Sequence, residues 1–291
     1  MPHKQSFCLC GLCHYQELEK SNVSYHKKTS YDHVSVEYLV QGSGTPILFL
    51  PSLGRGQDDF DELALLMEQK GFKVIRPHPR GIGASLGPMT GITLKDLATD
   101  VAAVIKAENI SPCIIAGHAL GNFIARMTAT LFPEQVRGVA LVAGSPGKTP
   151  SGDPSIPPDI LVSVSQSGNL ALSDAERITH LNKAFFAPGN DCRSWLQGWH
   201  PETKKMQWEA WHATPIDAFF KAGNAPVLDL QAELDTVVPR QYTSYLKSEL
   251  GERVTVTVIP NAGHALVPEQ PEAVCEAMTN WALSLQTDTR H

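Results

Sequence analysis

The sequence predicts an α/β fold: a mostly parallel central sheet with flanking helices and a helical insertion. Three observations predict it. Short apolar runs alternate with amphipathic stretches from about residue 33 onward. The alternation stops between residues 145 and 222, then resumes. The 291 residues are 42% apolar and 19% charged, enough for one substantial core.

Each element has a local reason. His33–Gln41 reads as a strand ending in a Gly-Ser-Gly turn. Pro46–Pro51 is a short apolar run, the mark of a strand buried on both faces. Gln57–Lys70 carries Phe60, Leu63, Leu65 and Leu66 among acids, which suits a helix, and Gly71 ends it. Lys73–Pro79 is the next strand, closed by Arg80-Gly-Ile-Gly83. Leu94–Ala107 places Leu97, Val101, Val104 and Ile105 on one helical stripe. Cys113–Gly117 is a strand, Leu120–Phe132 a helix and Val136–Val142 a strand.

Residues 145–222 open with a Pro/Gly/Ser-rich stretch and continue with helices near 171–186 and 202–221. Four of the five tryptophans fall there, at Trp195, Trp199, Trp208 and Trp211. The segment reads as a helical cap. Strands return at Pro226–Gln231 and Arg253–Ile259, with helices over about 239–250 and 269–285. The expected organisation is an N-terminal arm (1–32), a core (33–144 and 223–291) and the cap (145–222).

Composition narrows the partners. A net charge of −6 offers no basic face for nucleic acid. No apolar stretch is long enough for a membrane span, and residues 1–16 lack a signal-peptide core. A cytoplasmic location is the default expectation. Cys8, Cys10, Cys13 and His14 offer zinc-type ligands, but no second cluster follows at zinc-finger spacing. The expectation is a reduced N-terminal arm and no metal.

The sharpest local feature is Ala116-Gly117-His118-Ala119-Leu120-Gly121-Asn122, between a strand and a helix. Small residues two before and two after Ala119 permit a tight turn that exposes the central side chain at the sheet edge. Glu233-Leu-Asp235 follows a later strand, and Asn261-Ala-Gly-His264 follows the next. These three motifs, in this order, resemble the α/β-hydrolase superfamily over about residues 33–285.

The resemblance implies that Ala119 stands at the nucleophile position, where members of the superfamily carry serine. It implies Asp235 as the triad acid and His264 as the base. Backbone N–H groups of Leu53 and Leu120 would be the oxyanion donors. Leu50-Pro51-Ser52-Leu53-Gly54-Arg55-Gly56 matches the oxyanion loop, with Pro51 and Ser52 where His and Gly are usual. Ser52 is either a polar group at the pocket or a cap on the following turn. Arg55, His118, Asn122 and the four cap tryptophans complete the candidate ligand contacts. For His118, packing under the turn is the preferred reading; helix capping is the alternative for Asn122, and packing within the cap for the rings.

Alanine has no oxygen to form an acyl-enzyme. The expected function is therefore acid/base chemistry by the His264–Asp235 pair on a small hydrophobic carbonyl, ester or lactone compound. Lyase, isomerase, cyclase and His-activated-water hydrolase reactions all suit it. One alternative is a serine esterase or lactonase inactivated by an engineered Ser-to-Ala change. Another is a non-catalytic small-molecule binder. No organic cofactor is expected, since no phosphate-binding glycine fingerprint occurs, and a homodimer stays open.

Overall fold

A computed structural model describes residues 24–149, 156–242 and 244–287. The cysteine cluster at 8–13 lies outside the described residues. Eight strands form one sheet: β1 (Tyr25–Tyr31), β2 (Val34–Gly42), β3 (Thr45–Leu50), β4 (Phe72–Pro77), β5 (Cys113–His118), β6 (Val136–Val142), β7 (Val227–Ala232) and β8 (Val254–Ile259). Their spatial order is β1-β2-β4-β3-β5-β6-β7-β8. The β1–β2 and β2–β4 pairs are antiparallel and all others parallel.

The parallel strands separate two cores by the two-residue alternation of side chains. Leu48 and Leu50 of β3 and Ile115 of β5 face one core, with Leu97, Val101 and Val104 of α2 (following α1, Asp61–Gln69; α2 is Leu94–Glu108). Phe123 and Met127 of α3 (Gly121–Leu131) share that face. Ile47, Phe49, Ile114 and Ala116 face the other, against Leu63 and Met67 of α1. Helices therefore cover both faces, as expected of buried parallel strands.

Between β6 and β7 the chain builds α4 (Pro158–Ser167), α5 (Asp174–Ala184) and α6 (Pro201–His212). Ser173 and Glu176 start α5 with reciprocal side-chain caps. A third apolar cluster joins Ile160, Leu181, Phe185, Trp195 and Trp199 to Val237, Val238 and Ala265 of the core. Arg126, fully buried on α3, fastens this segment at both ends. Its guanidinium donates to the Ser145 carbonyl at 3.0 Å, the Pro146 carbonyl at 3.2 Å and the Phe220 carbonyl at 3.4 Å. The chain closes with α7 (Ser244–Leu250), α8 (Leu266–Glu269) and α9 (Pro271–Thr287).

Two elements differ from expectation. Residues 25–31, read as arm, form β1 in register with β2 from Tyr25↔Val40 to Tyr31↔Val34. As an edge strand, β1 is mostly exposed and carries Lys27 and Lys28, so it lacks an apolar alternation. The helix α4 also went unread, because its Ile-Leu-Val-Ser-Val-Ser run is rich in β-branched and hydroxyl residues of poor helix propensity. It is anchored by burial of Ile160 and Ser163. No helix among the described residues is long and apolar enough to cross a membrane.

Candidate active site

The turn between β5 and α3 is fixed by sterics. Ala119 sits at φ 47°, a left-handed conformation that costs an alanine about 1 kcal/mol. A Cβ on Gly117 would stand 2.2 Å from the carbonyl carbon and oxygen of Gly121. One on Gly121 would stand 2.4 Å from the Leu50 carbonyl oxygen, at the end of β3. Only hydrogen fits at either position. A Gly121→Ala variant is therefore expected to lose about 3 kcal/mol of stability. Urea denaturation checks it, and an unchanged midpoint would contradict this packing.

The turn also holds itself by hydrogen bonds. The Ala119 N–H donates to the Val142 carbonyl at 3.0 Å. The Asn122 amide donates to the Ala119 carbonyl, and Asn122 is fully buried. Among the described residues, no acceptor is bonded to the N–H of Leu53 or of Leu120. Both residues line a cavity beside Ala119.

Asp235 follows β7 and His264 follows β8. Asp235 Oδ1 accepts the N–H groups of Val237 and Val238, each at 2.8 Å. This turn locks the carboxylate, whose Oδ2 lies 2.9 Å from His264 Nδ1. An ionised carboxylate only accepts, so Nδ1 carries the proton and Nε2 is left with the lone pair. Both side chains are almost wholly shielded from solvent, and His264 lines the cavity.

The loop carrying His264 is tied to the inserted segment. The Glu269 carboxylate accepts the Gly263 N–H, the Ala187 N–H and the Asn190 side-chain amide, all at 2.7 Å. Burial raises the Glu269 pKa against these bonds. The Ala265 N–H donates to the Phe185 carbonyl at 2.7 Å, and the Phe185 and His264 ring centroids lie 5.7 Å apart.

The cavity holds about 670 Å³ of space, open mouth included. Among the described residues its polar lining is sparse: Ser52, Ser145, Lys204 and His264. The rest is apolar, with Trp199, Trp208, Trp211, Phe123, Phe185, Val237 and Val238 prominent. That composition is typical of small-molecule sites.

Eight of the candidate residues line this cavity: Ser52, Leu53, Ala119, Leu120, Trp199, Trp208, Trp211 and His264. Asp235 stands behind His264. Four expected ligand contacts are placed elsewhere. Arg55 is buried between the rings of Trp195 and Trp199, 4.6 and 4.8 Å from their centroids. Its guanidinium is occupied by Asp59 and by the Gln197 carbonyl. Trp195 is fully buried behind Trp199. Asn122 braces the turn, as above.

His118 is the fourth. It is fully buried, and its Nε2 lies 2.8 Å from the His264 carbonyl. The carbonyl accepts, so Nε2 carries the proton. Nδ1 has no protein partner among the described residues. Burial first, and His264 second, push the pKa down to about 3 from 6.5. The ring is thus neutral in the fold at pH values where the unfolded chain is already protonated. Between pH 6.5 and about 3 the unfolded state binds the extra proton, so stability falls as pH falls. The slope from this group is at most about 1.4 kcal/mol per pH unit. Urea midpoints at pH 7 and pH 5 should converge in a His118→Gln variant, which keeps a donor but does not titrate.

Sequence reasoning missed Phe123, Phe185, Val237, Val238 and Lys204. Val237 and Val238 carried a signal, since they sit in the turn that holds Asp235. The others carried none, because helix position alone does not say which side meets a cavity. Among the described residues, no group of three or more His, Cys, Asp or Glu side chains is arranged to hold a metal.

The family model described as "Alpha/beta hydrolase family" matches residues 47–277. A non-heme haloperoxidase from Rhodococcus erythropolis is 25% identical over 262 residues, covering 84% of this chain and 95% of the relative. A non-heme chloroperoxidase from Streptomyces lividans is 31% identical over 121 residues, 40% of this chain and 44% of the relative. The solved structure of a thermophilic esterase from Thermogutta terrifontis, with malate bound, has a TM-score of 0.73 at 18% identity. It covers 90% of this chain and 99% of that one, a likeness of fold. With the sheet order, the tight turn before α3 and the family match in agreement, the chain belongs to the α/β hydrolase family.

Proposed function

We propose that this chain is an α/β-hydrolase-fold enzyme that acts on a small hydrophobic carbonyl, ester or lactone compound without a serine nucleophile. The observation that carries the reading is the held pair itself: Asp235 Oδ2 lies 2.9 Å from His264 Nδ1, with His264 facing an apolar cavity. Nε2 acts as the base. It takes a proton from water or from a carbon next to the carbonyl. Asp235 stabilises the imidazolium that results. The N–H groups of Leu53 and Leu120 stabilise the oxygen anion that develops.

For an ester, the balance is complete. Water oxygen adds to the carbonyl carbon, one water proton moves to Nε2, and the C=O electron pair moves to oxygen. Collapse expels the alkoxide, which takes the proton from His264. The Ala119 methyl leaves room for that water where a serine hydroxyl would stand. The relatives are named as haloperoxidases, chloroperoxidases, carbamate hydrolases, a succinate-derivative hydrolase and an epoxide hydrolase, so their names support the scaffold more than any one substrate.

The left-handed φ at Ala119 favours a second reading, a serine esterase or lactonase with alanine substituted at its nucleophile. A methyl group gains nothing from that strained position, whereas a hydroxyl would. The deciding experiment screens esters, lactones and enolisable ketones with the unaltered chain and with His264→Ala. Turnover that depends on His264 supports the first reading. Turnover that survives intact in the variant overturns it, and tight binding with no product leaves a binding protein.

A further inference from the structure

Among the described residues, Lys204 is the only Lys, Arg, Asp or Glu that lines the cavity. It stands on α6 directly over the oxyanion loop: a Cβ on Gly54 would come within 2.6 Å of the Lys204 Cβ. A hydrogen bond from the Gly54 N–H to the Gln207 side chain, 2.8 Å long, pins α6 to that loop. The ammonium reaches the last turn of α4. It donates to the Ser165 carbonyl at 3.2 Å, and the Val164 carbonyl stands at 3.5 Å. The Trp199 ring centroid is 5.9 Å away.

Among the described residues, no carboxylate pairs with it, and burial alone acts on its pKa, downward. Two carbonyls at a helix C-terminus supply partial negative charge and engage two of the three ammonium protons. A half-buried cation with no counter-ion is costly, and a neutral apolar ligand would strip its remaining water at further cost. A cationic ligand would be repelled. A ligand anion would complete both the charge and the third hydrogen bond.

We propose that the cavity takes an apolar compound bearing a carboxylate, with Lys204 as the carboxylate's counter-charge and specificity determinant. The inference rests on the cavity being the ligand site of the proposed enzyme. It narrows that site to hydrophobic acids and to esters or lactones that keep a free carboxylate.

The test is calorimetric titration of straight-chain carboxylates of four to eight carbons, each beside its primary amide. The unaltered chain should bind the carboxylate about tenfold more tightly, which corresponds to about 1.4 kcal/mol. Lys204→Met should bring the acid-to-amide ratio to one, and Lys204→Arg should restore it. Loss of the α4 contacts alone would weaken acid and amide together, so the ratio isolates the charge. Equal binding of acid and amide by the unaltered chain, or a preference that survives in Lys204→Met, overturns the inference and leaves the cavity reading standing. Binding of neither series overturns the inference, while the enzyme reading is decided separately by His264-dependent turnover.

Discussion

An Ala119→Ser variant gains one covalent adduct from a fluorophosphonate probe, while the unaltered chain gains none. The proposed site carries the groups that reaction needs. The tight turn places residue 119 in the cavity lining at φ 47°, and a serine differs from the alanine there by a single oxygen. His264 is the proposed base, and the Leu53 and Leu120 N–H groups have no competing acceptor among the described residues. Phosphonylation needs those three things together: an exposed hydroxyl, a base and donors for the phosphoryl oxygen. Intact mass reads the adduct directly. An Ala119→Ser, His264→Ala double variant should label far more slowly. If Ala119→Ser stays unlabelled, the donors or the base do not converge on residue 119, and the second reading of the function fails.

Loss of His264 is the other large effect. His264→Ala is expected to lower turnover of the best substrate about 10²–10⁴-fold, the usual scale of a general acid or base. Asp235→Asn should lower it too, by a different route. The amide can donate to Nδ1, which favours the tautomer with its proton on Nε2, and that tautomer has no lone pair to offer the substrate. The Asp235 variant also loses carboxylate charge while keeping most of the turn at Val237 and Val238. Steady-state rates on one ester and one lactone separate the two variants. A rate equal to that of the unaltered chain in His264→Ala would end the acid/base reading.

Much of this site was legible before the fold. Glycines two before and two after Ala119 announced the turn, because only a missing Cβ allows β5, α3 and the end of β3 to meet so closely. Asp235 and His264 were legible from their places after successive strands. The side chains around them were not. Arg55 and Trp195 read as pocket groups because both lie near it in sequence-implied position, yet an aromatic sandwich and Asp59 turn Arg55 away. His118 adjoins Ala119 in the chain, but successive side chains diverge at a sharp turn, and it faces the core. Lys204 went unnoticed because an isolated lysine on a polar helix usually meets water.

The three bonds to Glu269 carry a consequence for the alignment of the proposed base. The run at 187–190 cannot swing away from the sheet without pulling on Gly263, one residue before the proposed base His264. Movement of that run and alignment of the proposed base thus share one free-energy cost. Breaking those bonds would release the proposed base from its alignment, and re-forming them would restore it.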